Sequence, residues 1–237
     1  MKRKLINSFI ILSASSAISK IFSILNRMLL SRLLPLEAMS LYLVIMPTLS
    51  LCLTLGQVGI PSAVFRLILH PNYKNYKVII TAILLSFFSV IVICGTLFIV
   101  SPFIAHSLLK NEYTLYPILS FLIFIPLIAI SGIIKNYYLA KGQIVEETSR
   151  LLFTYLFLKN PLSSSLPFLV TIAYLSMSFG ELMSIIYLLL LSRKRYSFTP
   201  LKNINKQNLI MKELLNISLP LTGSRLYHCF MNFLEPI

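Results

Sequence analysis

Between Val78 and Ile104 the chain reads VIITAILLSFFSVIVICGTLFIVSPFI, 27 residues without one Asp, Glu, Lys or Arg. A helix rises about 1.5 Å per residue and the hydrocarbon core of a bilayer is about 30 Å thick, so about 20 apolar residues cross it. This stretch is long enough with more than a turn to spare. Working outward, comparable stretches run Leu5–Leu30, Ser40–Leu69, Tyr113–Ile134, Val145–Leu158 and Leu166–Ser192, with another from Leu209 to Ile237. The Val145–Leu158 stretch is short and needs its polar flanks to complete a crossing. The expected fold class is therefore all-α, a polytopic transmembrane helix bundle. Composition agrees: 57% hydrophobic residues, 12% charged residues and a mean hydropathy of +0.84 are too apolar for a soluble domain of 237 residues.

A net charge of +14 raises the question of nucleic acid, but the placement of the charge answers it. With the N-terminus in the cytoplasm, fifteen basic residues fall on the cytoplasmic side, among them Lys2, Arg3, Lys4, Lys77, Lys135, Lys141, Arg150 and Arg193–Arg195. Only Arg32, Lys110 and Lys159 fall opposite. That is the positive-inside pattern of a plasma-membrane protein, so the basic residues set orientation and meet anionic headgroups. No nucleic-acid partner is expected. Met1–Ala17 has the outline of a signal peptide, but the apolar pattern continues past Ala17 to Leu34 and favours an uncleaved first helix. Cys52, Cys94 and Cys229 lie in apolar stretches without metal-ligand spacing, which makes them small packing residues. No metal and no cofactor is expected.

Pro35, Pro71, Pro102, Pro161 and Pro200 fall at or near the ends of stretches, where proline should stop a helix. Pro47, Pro126 and Pro220 lie inside, and there the freed carbonyls need new donors. The polar run Arg193–Gln207 reads as a cytoplasmic linker. The expected organisation is a six-helix lobe over 1–192, a linker over 193–208, and the first helix of a truncated second lobe over 209–237. Lys141–Arg150 reads as an amphipathic entry along the inner surface, with Glu146 and Glu147 solvated.

The charges inside the stretches are the leads to function, because a Lys or Arg at mid-membrane costs about 2.5–3.5 kcal/mol on insertion scales. In the first stretch Ser13, Ser16, Lys20, Ser23 and Arg27 recur at steps of three or four and share one face. Such a face suits a wet, anion-attracting cavity; its serines equally suit close helix packing. In the last stretch Ser218, Thr222, Arg225, Cys229, Asn232 and Glu235 make a similar stripe, with His228 beside it as a packing residue. Arg225 and Glu235 are ten residues apart, roughly 15 Å along the axis, too far for a direct pair. Glu181 sits near the middle of its stretch, either as counter-ion to Lys20 or Arg225 or as a group coupling transport to H⁺ or Na⁺.

The chain has no aspartate, which excludes aspartate-based intramembrane proteolysis, and no Gly-x-x-x-x-Gly-Lys phosphate loop. A lipid-linked glycosyl- or acyltransferase would need a carboxylate or His poised at a membrane face. Catalysis is not expected.

The run Ser19-Lys-Ile-Phe-Ser-Ile-Leu-Asn-Arg-Met-Leu-Leu-Ser-Arg-Leu-Leu-Pro35, with Leu41-Tyr42, Met46-Pro47-Thr48 and Gly59-Ile60-Pro61-Ser62-Ala63 after it, resembles the start of polysaccharide-biosynthesis flippases. Tyr138-Leu-Ala-Lys-Gly-Gln143 and Ser218-Leu-Pro-Leu-Thr-Gly-Ser-Arg-Leu226 extend the likeness along essentially the whole chain. The resemblance implies a two-lobed exporter fold, shared with multidrug antiporters, that works by alternating access. It places Lys20 where related lipid flippases carry a cavity arginine, Arg27 beside another, and Arg225 at the opening of the second lobe. Two departures stand out: Pro35 replaces a glycine, and the sequence supplies one lobe and one helix.

The function expected from the resemblance is transport of lipid-linked oligosaccharide or peptidoglycan precursors for envelope or spore-cortex assembly. Lys20, Arg27 and Arg225 would neutralise the lipid diphosphate, and Glu181 and Glu235 would serve as counter-ions or coupling groups. The implied partners are a lipid-linked sugar diphosphate, membrane lipids and a separate chain supplying the second lobe, without which the sequence alone is expected to be inactive. The rival on the same fold is a cation-coupled antiporter of small molecules, which would favour acidic cavity residues over these basic ones.

Overall fold

The computed structural model describes residues 2–68, 75–137, 142–159, 161, 165–193 and 205–234. Among them the chain is helical throughout: α1 Lys2–Leu33, α2 Leu36–Gln57, α3 Ile60–Ile68, α4 Asn75–Phe103, α5 Leu115–Tyr137, α6 Gln143–Lys159, α7 Leu166–Arg193 and α8 Asn205–Leu234. A π turn over Ile104–Leu108 and a 3-10 turn over Glu112–Thr114 join α4 to α5. The all-α polytopic bundle is the observed fold.

Among the described residues, four segments are long and apolar enough to cross a bilayer by themselves: Leu36–Gln57, Lys77–Ser107, Glu112–Asn136 and Leu166–Leu191. The helices α1, α6 and α8 are more polar, because they carry the charges and hydroxyls on which the candidate site is built. Large apolar side chains stay exposed on the outside of the bundle, Phe88 at 69% and Ile99 at 77% on α4. Lipid rather than water is the solvent such a surface fits.

The main core lies between α2, α5 and α7 and includes Ile45, Phe121, Ile125 and Tyr174. Tyr174 stacks on Tyr42 at 4.8 Å between centroids, meets Phe121 edge-on at 5.1 Å, and donates its hydroxyl to the Tyr42 carbonyl at 2.7 Å. The phenol thus enters an apolar core with its polar tip satisfied. A second core joins α3, α4 and the end of α5 to α8 through Ile60, Val64, Val78, Ile133, Ile210 and Leu214. The last helix is therefore seated on the bundle, against α2 and α3.

The single stretch expected over Ser40–Leu69 is two helices. Val58 (φ 44°) and Gly59 (φ 59°) both take the left-handed conformation and turn the chain between α2 and α3. At Gly59 the glycine is required twice over. Its φ disfavours any side chain, and a Cβ would stand 2.8 Å from the Ser218 carbonyl of α8.

Proline behaves differently from expectation at one point. Pro35 does cap α2, with φ −56°. Pro102, however, does not stop α4, which runs through it to Phe103 and on into the π turn. The ring removes the N–H that would bond the Phe98 carbonyl, and Ser101 Oγ donates to that carbonyl instead, at 3.0 Å. Pro126 frees the Leu122 carbonyl of α5 in the same way, and Cys94 Sγ of α4 approaches it at 4.0 Å. Cys94 is thus a helix-to-helix donor as well as a small packing residue.

Candidate functional site

Two glycines of the α6–α7 pair bring the site together. A Cβ on Gly180 of α7 would meet the Glu146 carbonyl at 2.8 Å and Arg150 Cβ at 3.1 Å. Gly142, just before α6, lies against Ser184, whose hydroxyl donates to the Gly142 carbonyl at 3.2 Å. Small residues at a helix contact let two backbones approach closely in lipid. The approach places α6 carboxylates directly against α7 and the end of α5.

There Lys135 Nζ, in the last turn of α5, pairs with both Glu146 of α6 and Glu181 of α7. Glu181 also accepts a hydrogen bond from the Ser131 hydroxyl, one turn back from Lys135. Glu181 is 3% exposed, so its charge is out of reach of solvent and compensated from within. Two sequence expectations are corrected by this geometry. The partner of Glu181 is Lys135, not Lys20 or Arg225, because α7 packs on α5 and α6 while α1 and α8 lie elsewhere. Glu146 is not solvated, because the tight α6–α7 contact turns it inward onto the same ammonium.

A second polar group adjoins the first. Glu147 has Arg150 one turn further along α6. Glu147 Oε2 and Arg150 Nε are both buried with no hydrogen-bond partner. Of the chain's seven acidic residues, three stand in this region: Glu146, Glu147 and Glu181. Lys135 pairs with two of them, and Arg150 stands one turn from the third on α6.

The seam between α1 and α6 carries more polar groups. Ser16 Oγ donates to Gln143 at 3.4 Å, which fixes the register of the two helices. Ser19 and Asn26 are buried along α1, and the hydroxyl of the first and both amide atoms of the second have no partner. A buried polar group left unpaired costs about 1–3 kcal/mol, so this seam is a poor glue. Lys20 and Arg27 occupy the flank of it and are exposed, while Ile21, Ile24 and Met28 turn away to the apolar side. The serine stripe therefore divides its labour: Ser16 and Ser19 serve the contact with α6, and the cations stand clear of it.

Arg225 is exposed on α8 and donates to the Ser62 hydroxyl of α3 at 2.7 Å. Ser218 and Thr222 form the buried side of α8, with Cys229 close to Thr54 of α2 at 3.2 Å. His228 sits on the exposed side, off the packing face where it was expected. α1 rests on α6, while α8, which carries Arg225, rests on α2 and α3. Glu235 lies outside the described residues. Sequence reasoning missed Lys135, Arg150 and Glu147. The available signal was a cluster of five charges of both signs, Lys135, Lys141, Glu146, Glu147 and Arg150, between and at the facing ends of consecutive stretches.

The family model for polysaccharide biosynthesis proteins matches residues 5–237. The chain belongs to this family. It is similar to stage V sporulation protein B of Bacillus subtilis (strain 168), with 28% identity over 258 positions covering 100% of this chain and 49% of the relative. It is also similar to the sporulation protein YkvU of the same organism, with 22% identity over 246 positions covering 98% of this chain and 54% of the relative. The chain thus spans about half the length of the curated relatives it matches. No solved structure matches it.

Proposed function

We propose that this family member is the cation-bearing lobe of a flippase for lipid-linked oligosaccharide or peptidoglycan precursors, working by alternating access in the plasma membrane. Its N-terminus is cytoplasmic in this reading, which the fifteen-to-three distribution of basic residues supports. Residues 1–192 form the first lobe and α8 opens the second. The observation that carries the reading is the flank of α1. Lys20 and Arg27 are exposed there, beside a polar seam rather than within it. A lipid diphosphate is too charged to cross the hydrocarbon unaided, and a guanidinium or ammonium lowers that barrier by charge-assisted hydrogen bonds. Arg225 contributes a third cation from α8. The similarity to two sporulation proteins supports a role in spore-envelope assembly.

Glu181 acts as a structural counter-ion in this scheme, since Lys135 and Ser131 occupy it. The rival antiporter of small cations would require a buried carboxylate left free for cargo or coupling ion.

The test is equilibrium binding of a soluble isoprenyl diphosphate, farnesyl diphosphate, to the purified chain in detergent. The wild type should bind saturably. Lys20→Ala and Arg27→Ala should each weaken binding roughly tenfold, the loss expected when a charged hydrogen bond to phosphate is removed. Unchanged affinity in both variants would sink the assignment.

A further inference from the structure

We propose that Ser62 is a positioning residue for Arg225: its hydroxyl aims the α8 guanidinium at anionic cargo without neutralising it. The inference rests on the flippase reading above and adds a residue to its anion site.

Two runs far apart in the chain, Gly59 to Ser62 and Ser218 to Arg225, meet where α3 packs on α8. Gly59 opens the contact, since a Cβ there would stand 2.8 Å from the Ser218 carbonyl and 3.2 Å from Thr222 Oγ1. Arg225 follows Ser218 and Thr222 at steps of four and three, so it leaves α8 on the side that packs. There Ser62, one turn beyond Gly59, accepts a hydrogen bond from Arg225 Nη2 at 2.7 Å. The hydroxyl is not free to drift. Ile60, Ala63 and Val64 around it in the chain are fully buried, and a Cβ on Gly132 of α5 would stand 3.1 Å from the Pro61 ring. The α3 helix is thus held between α5 and α8, and Ser62 is its grip on the cation.

The chemistry of the holder matters. Lys135 is also held, but by two carboxylates that cancel its charge. Arg225 has no carboxylate partner among the described residues, and it stays exposed. One of its five N–H donors goes to Ser62, and four remain with the full positive charge. A hydroxyl therefore fixes the direction of the guanidinium and leaves both charge and donors for a phosphate group. Cargo meets a side chain already ordered, so the rotamer freedom that a loose arginine would lose on binding has been lost beforehand.

The experiment measures farnesyl diphosphate binding to the purified full chain and its variants in detergent. Ser62→Ala should weaken binding roughly threefold to tenfold, the loss expected when a rotamer-rich side chain must be ordered on binding. Ser62→Thr, which keeps the hydroxyl, should bind like the wild type. Ser62→Asp should bind more weakly than Ser62→Ala, because a carboxylate holds the guanidinium and cancels it. In an Arg225→Ala background, itself weakened, Ser62→Ala should cost nothing further. Thr96→Ala removes an exposed α4 hydroxyl bonded to the Ile93 carbonyl of its own helix, and should leave affinity unchanged. Wild-type affinity in Ser62→Ala or Ser62→Asp overturns the proposal and leaves the flippase reading standing. So does a loss in Ser62→Thr or Thr96→Ala equal to that in Ser62→Ala, a further loss in the double variant, or no loss in Arg225→Ala. Failure of the wild type to bind diphosphate overturns the flippase reading and this inference with it. Unfolding temperature, measured alongside, identifies any variant whose affinity change is a folding defect; where Ser62→Ala is one, the contrast between Ser62→Thr and Ser62→Asp decides.

Discussion

Lys135 shows how much one side chain holds in place. Its ammonium is the shared partner of two carboxylates on two other helices, with 12% of the side chain exposed. Replacing it with methionine leaves Glu146 and Glu181 facing each other uncompensated. Breaking a buried pair by removing one partner typically costs about 3–5 kcal/mol. Lys135→Met should therefore lower the unfolding temperature in detergent markedly. The triple variant Lys135→Met, Glu146→Gln, Glu181→Gln should recover most of the loss, because it removes the charges together. If the three effects simply add, the cluster is not a unit. The sequence shows Glu181 as a lone acid in an apolar stretch, so its importance is visible from composition alone. Its partner is not, because Lys135 sits at the far end of another stretch and only the fold decides which chain ends meet.

Gly180 and Gly59 play the same role between helices that Lys135 plays between charges. Each marks a place where one backbone passes close to another. Gly180→Val should push α6 off α7 and cost ~1–3 kcal/mol, the usual range for overpacking, while loosening the Lys135 cluster. Gly59→Ala meets both a left-handed φ and the Ser218 carbonyl, and should cost a comparable amount. Thermal unfolding of the two variants, with Gly95→Ala as a control where no atom lies within 4 Å, checks both. Helix positions are largely legible in the sequence, since apolar length alone predicts α4, α5 and α7. The α2–α3 break is harder to see. The apolar pattern runs unbroken through Val58-Gly59-Ile60, and hydropathy has no term for a turn made inside a greasy segment. Pro102 misleads for the opposite reason, because Ser101 supplies the hydrogen bond that the ring removes.

For the molecule as a whole, orientation is the property that sequence reads best, since it depends on counts of charge and not on contacts. A membrane-impermeant thiol reagent applied to intact cells should label Lys110→Cys but reach Lys77→Cys only after permeabilisation, in a background lacking the three native cysteines. The reverse pattern would invert the topology. What sequence reads worst is which helices become neighbours. The serine stripe of α1 is plain in the sequence, yet nothing there says that α6 is what it leans on. That pairing has a mechanical meaning. Leaning on α6 and scarcely on α2, the first helix reaches the rest of the bundle through the sixth, whose other side is held closely against α7 at Gly180. A shift of α6 against α7 would therefore carry Lys20 and Arg27 with it, because α1 has no other substantial hold on the bundle among the described residues.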